Sequence, residues 1–124
     1  MTPQAGGFEP QGRVSPAIID GVFRALSDPT RRDVLDRLSA HSASVSDLAA
    51  TYDMALPSFV EHLKVLERSG LVRSHKVGRV RTYELVPKQL RMAENWLARQ
   101  RNLWERRLDQ LDSYLMKMKQ ERKK

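Results

Sequence analysis

A mainly helical fold carrying one small β-hairpin is predicted by three observations in this 124-residue sequence. Apolar residues recur at spacings of three and four through most of the chain. One interval, residues 71–86, alternates instead with a period of two and is broken at Gly78-Arg79. Proline, glycine and small capping residues punctuate the helical stretches at short intervals.

The elements follow in order. Ser15-Pro16 places an N-cap before a proline at the first helical position. Ile19, Val22, Phe23 and Leu26 then mark one buried helical face. Ser27-Asp28-Pro29-Thr30 repeats the start signal, and Val34, Leu35 and Leu38 form the stripe of a second helix. His41-Ser42-Ala43-Ser44 reads as a polar connection. Ser46 is expected to cap a short helix carrying Leu48, Ala49 and Tyr52, with Asp47 near its positive N-terminal end. After a turn at Asp53-Met54-Ala55, a further helix begins near Pro57 and ends at Ser69-Gly70. Gly70 suits the left-handed position that closes a helix. Phe59, Leu63 and Leu66 give this helix its inward stripe, with Val65 at the flank. Residues 71–77 and 80–86 make the hairpin, and Pro87 ends its second strand.

A long final helix is predicted from Pro87 onward, with Leu90, Ala93, Leu97, Trp104, Leu108, Leu111, Leu115 and Met118 on one stripe. Gln100 sits in a gap, and the register shifts near Trp104. About 30 residues rising roughly 1.5 Å each span about 45 Å, more than so small a domain covers. A stripe that outruns its own core implies a partner helix, and a homodimer is the economical reading. The alternative is a broken helix folding back as two shorter ones. The chain accordingly divides into a flexible tail (1–14), a domain (15–86), a dimerisation segment (87–118) and a basic tail (119–124). Ile19, Phe23, Leu97, Trp104, Leu108, Leu111 and Leu115 are the expected dimer-interface residues.

Composition narrows the function. The length suits one domain. Cysteine is absent, which removes disulfides, thiolate ligands and cysteine nucleophiles together. No apolar run approaches the roughly 20 residues of a membrane span, and the first residues carry no signal-peptide pattern. A cytoplasmic protein is the default expectation. The net charge is +7, but residues 28–86 hold 9 Lys+Arg against 8 Asp+Glu, whereas residues 87–124 hold 11 against 5. The high pI therefore comes mainly from the C-terminal segment. Within the central domain the asymmetry is local: Arg73, Lys76, Arg79 and Arg81 run without an acid until Glu84.

A short helix, a tight turn, a longer helix and a hairpin with cations near its tip form a winged helix-turn-helix, in which one helix enters the major groove while the hairpin reaches the neighbouring backbone. Leu48, Tyr52, Met54 and Phe59 are spaced to hold the two helices together. The motifs Ala25-Leu26-Ser27-Asp28-Pro29-Thr30-Arg31-Arg32, Val45-Ser46-Asp47-Leu48-Ala49, His62-Leu63-Lys64-Val65-Leu66-Glu67, Gly70-Leu71-Val72 and Gly78-Arg79 cover about residues 16–90. In that order they resemble the ArsR-type (arsenic-repressor-like) winged-helix transcription factors. The resemblance implies a homodimer that binds a palindromic operator in double-stranded DNA and usually represses. It implies Pro57, Ser58, Glu61, His62 and Lys64 on or near the DNA-facing side of the recognition helix, and wing contacts at Lys76, Arg79 and Arg81. Arg31 and Arg32 fall where the family places backbone contacts or internal ion pairs. A small-molecule effector of unidentified chemistry stays open.

The chain departs from the family pattern at Asp53, where glycine is usual in the turn, and at Leu56, Val60 and Glu61, where polar or cationic residues are usual. Metal-sensing relatives use paired thiolates on the first helix of the reading motif, or histidines and carboxylates on the last helix. Here the first location reads Ala43-Ser44-Val45-Ser46-Asp47 and the last helix has no histidine, so no metal and no cofactor are expected. Scattered histidines and the lack of a phosphate-cradling loop argue against an enzyme. The alternative function is a winged-helix module that binds protein or RNA.

Overall fold

The structure, a computed structural model, describes residues 16–122. The expected cap at Ser15, the tail 1–14 and the last two residues of the basic tail lie outside the described residues. The elements are α1 (Pro16–Leu26), α2 (Pro29–Ala40), β1 (Ala43–Ser44), α3 (Val45–Ala49), α4 (Leu56–Arg68), β2 (Val72–Val77), β3 (Val80–Leu85) and α5 (Pro87–Arg122). Two compact units meet at Ala93 and Glu94.

In the first unit, one apolar core joins all of α1 to β3 and the first turns of α5. Val22 and Ala25 of α1, Val34 and Leu38 of α2, Leu48 of α3, and Phe59, Leu63 and Leu66 of α4 are buried together with Leu71, Val72, Tyr83 and Ala93. No polar or charged residue is buried among the described residues apart from the aromatic Tyr83, so burial alone decides which face of each helix turns inward. Ile19, expected at a subunit interface, is instead buried within the chain at 9% exposure, while its neighbour Ile18 is 38% exposed. Helical rotation puts Ile19 on the same inward face as Val22. Phe23 is half buried and packs against this core.

The corner between α1 and α2 is set by a cap. Asp28 is extended (φ −107°, ψ 132°), and its Oδ2 accepts from the Arg31 N–H at 3.0 Å. Pro29 follows in the first turn, where its missing N–H costs nothing. Burial pushes the Asp28 carboxyl up, but the Arg31 N–H and the charges of His62 and Arg31 outweigh it, leaving the pKa below the ordinary value.

The segment read as a polar connection contributes a third strand. Ala43 and Ser44 pair antiparallel with Tyr83 and Thr82, giving the sheet order β1-β3-β2. Ser44, at the end of that strand, is extended (φ −80°, ψ 161°) and accepts from the Asp47 N–H at 3.1 Å. The cap of α3 is thus Ser44 and not Ser46, because only Ser44 holds the non-helical backbone a cap requires.

Helix α4 ends in a Schellman motif. The Gly70 N–H donates to the Glu67 carbonyl at 3.0 Å and the Leu71 N–H to the Leu66 carbonyl at 3.1 Å, while the fully buried Leu66 and Leu71 supply the apolar contact that accompanies the motif. Gly70 has φ +79°, and a Cβ there would stand 2.7 Å from Gln89 Cγ. Strands β2 and β3 close through the two residues Gly78 and Arg79, in register Val77 with Val80. Gly78 has φ +62° and no described non-glycine residue has positive φ, the combination of a type II′ turn. Asp53 therefore needs no left-handed conformation, and its departure from glycine carries no strain.

In the second unit, residues 94–122 belong to α5, a single helix of 36 residues in all. The folded-back alternative does not occur. Leu97, Trp104, Leu108, Leu111 and Leu115 are each more than half exposed.

Two outcomes are expected. Gly70→Ala should lower stability by at least about 1–2 kcal/mol, the cost of a left-handed alanine, and adding Gln89→Ala should recover only the steric part; urea melts of the two variants measure this. Asp28→Asn keeps an equivalent cap but loses the charge. Because the folded pKa is depressed, the stability deficit of Asp28→Asn should be present above the ordinary aspartate pKa and vanish as pH falls through the lower folded value, as read by melts from pH 7 to pH 2.

Candidate nucleic-acid interface

Helices α3 and α4 are locked by an aromatic and cationic stack. The Tyr52 and Phe59 rings lie 5.1 Å apart at 23°, and the Arg37 guanidinium sits 5.5 Å from the Tyr52 ring centroid. Arg37 also donates to the Leu48 carbonyl at 3.0 Å and the Asp47 carbonyl at 3.2 Å at the C-terminal end of α3. The Tyr52 hydroxyl donates to Asp33. With α3 fixed and Phe59, Leu63 and Leu66 inward, helical rotation turns Pro57, Ser58, Glu61, Lys64 and Arg68 outward, and all five are exposed.

The outward face of α4 meets the hairpin across an open groove of about 470 Å³, lined by Val45, Val60, Lys64, Glu67, Lys76, Arg79, Arg81 and Tyr83. Four of the expected site residues, Lys64, Lys76, Arg79 and Arg81, are brought together here. Their pairings differ. The Arg81 guanidinium donates to the Ser74 hydroxyl at 2.8 Å, which donates to Glu67 Oε2 at 2.9 Å. Arg81 is thereby oriented and partly neutralised from α4. Lys64, Lys76 and Arg79 have no ion pair or side-chain hydrogen bond among the described residues. Three free cations from two elements thus face one groove.

The cation run of the hairpin is split by the strand period. Ser74, Lys76, Arg81 and Tyr83 share one face of the hairpin in the observed register, whereas Arg73 and Glu84 are direct partners on the other. Arg73 Nε donates to Glu84 Oε2 at 2.5 Å. Ser74, Glu67, Tyr83 and Val45 are not among the expected site residues; the register about Gly78-Arg79 is the signal that places the first and third of them beside Lys76. Burial, then the Glu67 charge, pushes the Tyr83 phenol up, against Arg81 and Ser74.

The remaining site residues lie elsewhere. Glu61 pairs with Arg68 at 3.4 Å, both well exposed, a contact of little energetic weight. Arg31 and Arg32 turn toward the C-terminal carbonyls of α1. Arg31 donates to Ala25 at 2.8 Å and to Arg24 at 3.0 Å, and Arg32 donates to Leu26 at 2.7 Å. Neither reaches the groove, because the Asp28 corner places the first turn of α2 against the unsatisfied end of α1. His62 is partly buried, with Nδ1 3.1 Å from Arg31 Nη1. No cluster of histidines and carboxylates that could hold a metal ion occurs among the described residues, and no helix among them is long and apolar enough to cross a membrane.

Comparison with known proteins agrees with this arrangement. A helix-turn-helix domain model matches residues 26–75. The transcriptional repressor SdpR of Bacillus subtilis (strain 168) is 33% identical over 79 residues, 64% of this chain and 88% of that protein. Among solved structures, an ArsR family transcriptional regulator is 52% identical, with a TM-score of 0.72 over 75% of this chain and 96% of that one. An ArsR-like transcriptional regulator from Rhodococcus sp. RHA1 is 36% identical, with a TM-score of 0.67 over 77% and 90%. Order of elements, groove and relatives converge: the chain belongs to the ArsR-type family of winged helix-turn-helix transcriptional regulators, DNA-binding proteins and not enzymes.

Proposed function

We propose that the chain acts in the cytoplasm as a homodimer that binds a palindromic operator and represses transcription from it. The observation that carries this reading is the groove between α4 and the hairpin, where Lys64, Lys76 and Arg79 lie without partners among the described residues. Ammonium and guanidinium groups in such an arrangement fit phosphate oxygens on either side of a groove occupied by α4. Pro57, Ser58 and Glu61 then lie at the N-terminal half of that helix, the part that reaches base edges. Glu61 accepts hydrogen bonds only, which suits cytosine N4.

Dimerisation is supported by the second unit. Leu90, Leu97, Trp104, Leu111 and Met118 recur at intervals of seven, with Leu108 and Leu115 beside them, and these side chains are exposed among the described residues. A seven-residue period is the pattern of a helix packed along another helix. Two recognition helices related by a two-fold axis enter successive major grooves about 34 Å apart. Repression follows the relative SdpR, named a repressor.

Lys64→Ala and Arg79→Ala should each weaken operator binding while leaving melting and dimerisation intact, and each should reduce the slope of log affinity against log salt by about 1. Salt-titrated binding measures this, and unchanged affinity in both variants would overturn the assignment. Ending the chain after Leu103 should yield monomers by sedimentation; intact dimers would move the interface to the first unit.

A further inference from the structure

His62 lies on α4 between the outward Glu61 and the buried Leu63, with its side chain 22% exposed. Its Nδ1 is 3.1 Å from Arg31 Nη1. A guanidinium has only donors, so at this contact Nδ1 accepts. The other polar group nearby, Asp28 Oδ2, is 3.8 Å from Nδ1, beyond hydrogen-bonding distance, and already accepts from the Arg31 N–H. Nor is the guanidinium free to turn away, since Ala25 and Arg24 carbonyls hold its other two nitrogens at 2.8 and 3.0 Å. With a proton excluded from Nδ1, the neutral ring carries it on Nε2. That atom has no hydrogen-bond partner among the described residues and is not among the buried unsatisfied ones, so it remains open to a ligand.

We propose that Arg31 is a positioning residue that locks His62 in the Nε2–H tautomer, so that the recognition helix presents a hydrogen-bond donor at this position. The proposal rests on the operator-binding reading and sharpens it. A lone donor selects an acceptor of the duplex: purine N7, guanine O6 or thymine O4 on a base edge, or a phosphate oxygen. It is mismatched to the cytosine amino group. The same arginine that closes the end of α1 thereby fixes the chemistry of a residue 31 positions later.

The test begins without DNA. Long-range 1H–15N spectra of the full chain at pH 8, where an ordinary imidazole of pKa about 6.5 is neutral, should show His62 protonated on Nε2. Arg31→Met should give a mixture of tautomers. A proton on Nδ1 in the parent, or an unchanged tautomer in Arg31→Met, overturns the lock. Duplexes selected from a random-sequence pool by the parent chain supply the second readout. His62→Leu should bind them about tenfold more weakly, the worth of one specific contact, and His62→Gln, which keeps a donor near the Nε2 position, should recover most of that loss. Loss confined to one base-pair identity locates the acceptor on a base edge, and equal loss across all duplexes locates it on phosphate. Equal binding by parent and His62→Leu overturns the donor role. A parent that selects no duplex overturns operator binding itself, whereas the spectra judge the lock independently.

Discussion

The burial of Phe59, Leu63 and Leu66, each at most 1% exposed, sets the rotation of α4, and the rest of the interface depends on that rotation. Burying one such side chain is worth roughly 1.5–3 kcal/mol. Turning the helix by a single residue position would expose all three and drive Lys64 into a core that holds no charge among the described residues. The outward set of Pro57, Ser58, Glu61 and Lys64 is therefore a by-product of packing. Tyr52 and Arg37 fix the partner helix α3 against the same face, and the Schellman turn at Gly70 fixes where the chain leaves α4 for the hairpin.

Elements written in local chemistry were legible in the sequence. Asp28-Pro29 marks a helix start, Gly70 a helix end and Gly78-Arg79 a hairpin turn, because each signal is a backbone requirement met by its own residue. The apolar stripes of α1, α2 and α4 were equally plain. What escaped depends on distant partners. Two residues of β1 are too few to show a strand period, so Ala43 and Ser44 read as a connection and the cap reads two residues late, at Ser46. Arg31 and Arg32 look like surface cations until the end of α1 is placed beside them. The run from Arg73 to Arg81 reads as one patch until pleating sends Arg73 to Glu84 and the others to the groove.

Net charge would have misdirected a reading that relied on it. The central region is nearly neutral, and the excess of basic residues lies from residue 87 onward. Among the described residues of the first unit, pairing thins the charge further, leaving Lys64, Lys76 and Arg79 as the cations facing the groove without a partner. A small count of unpaired charges, aimed by two rigid elements, is better placed for recognition than a larger diffuse one.

The two-residue closure of the hairpin has a mechanical consequence. Strands of six residues joined by a II′ turn leave no slack, and β1 braces β3 along its other edge. Such a wing has little spare length with which to follow grooves of different width. In the proposed complex, a mismatch between its reach and the double helix would fall on the DNA, as bending or a change of groove width whose energy varies with base sequence. In the proposed operator complex, a stiff wing would thus make the deformability of flanking base pairs part of what is discriminated.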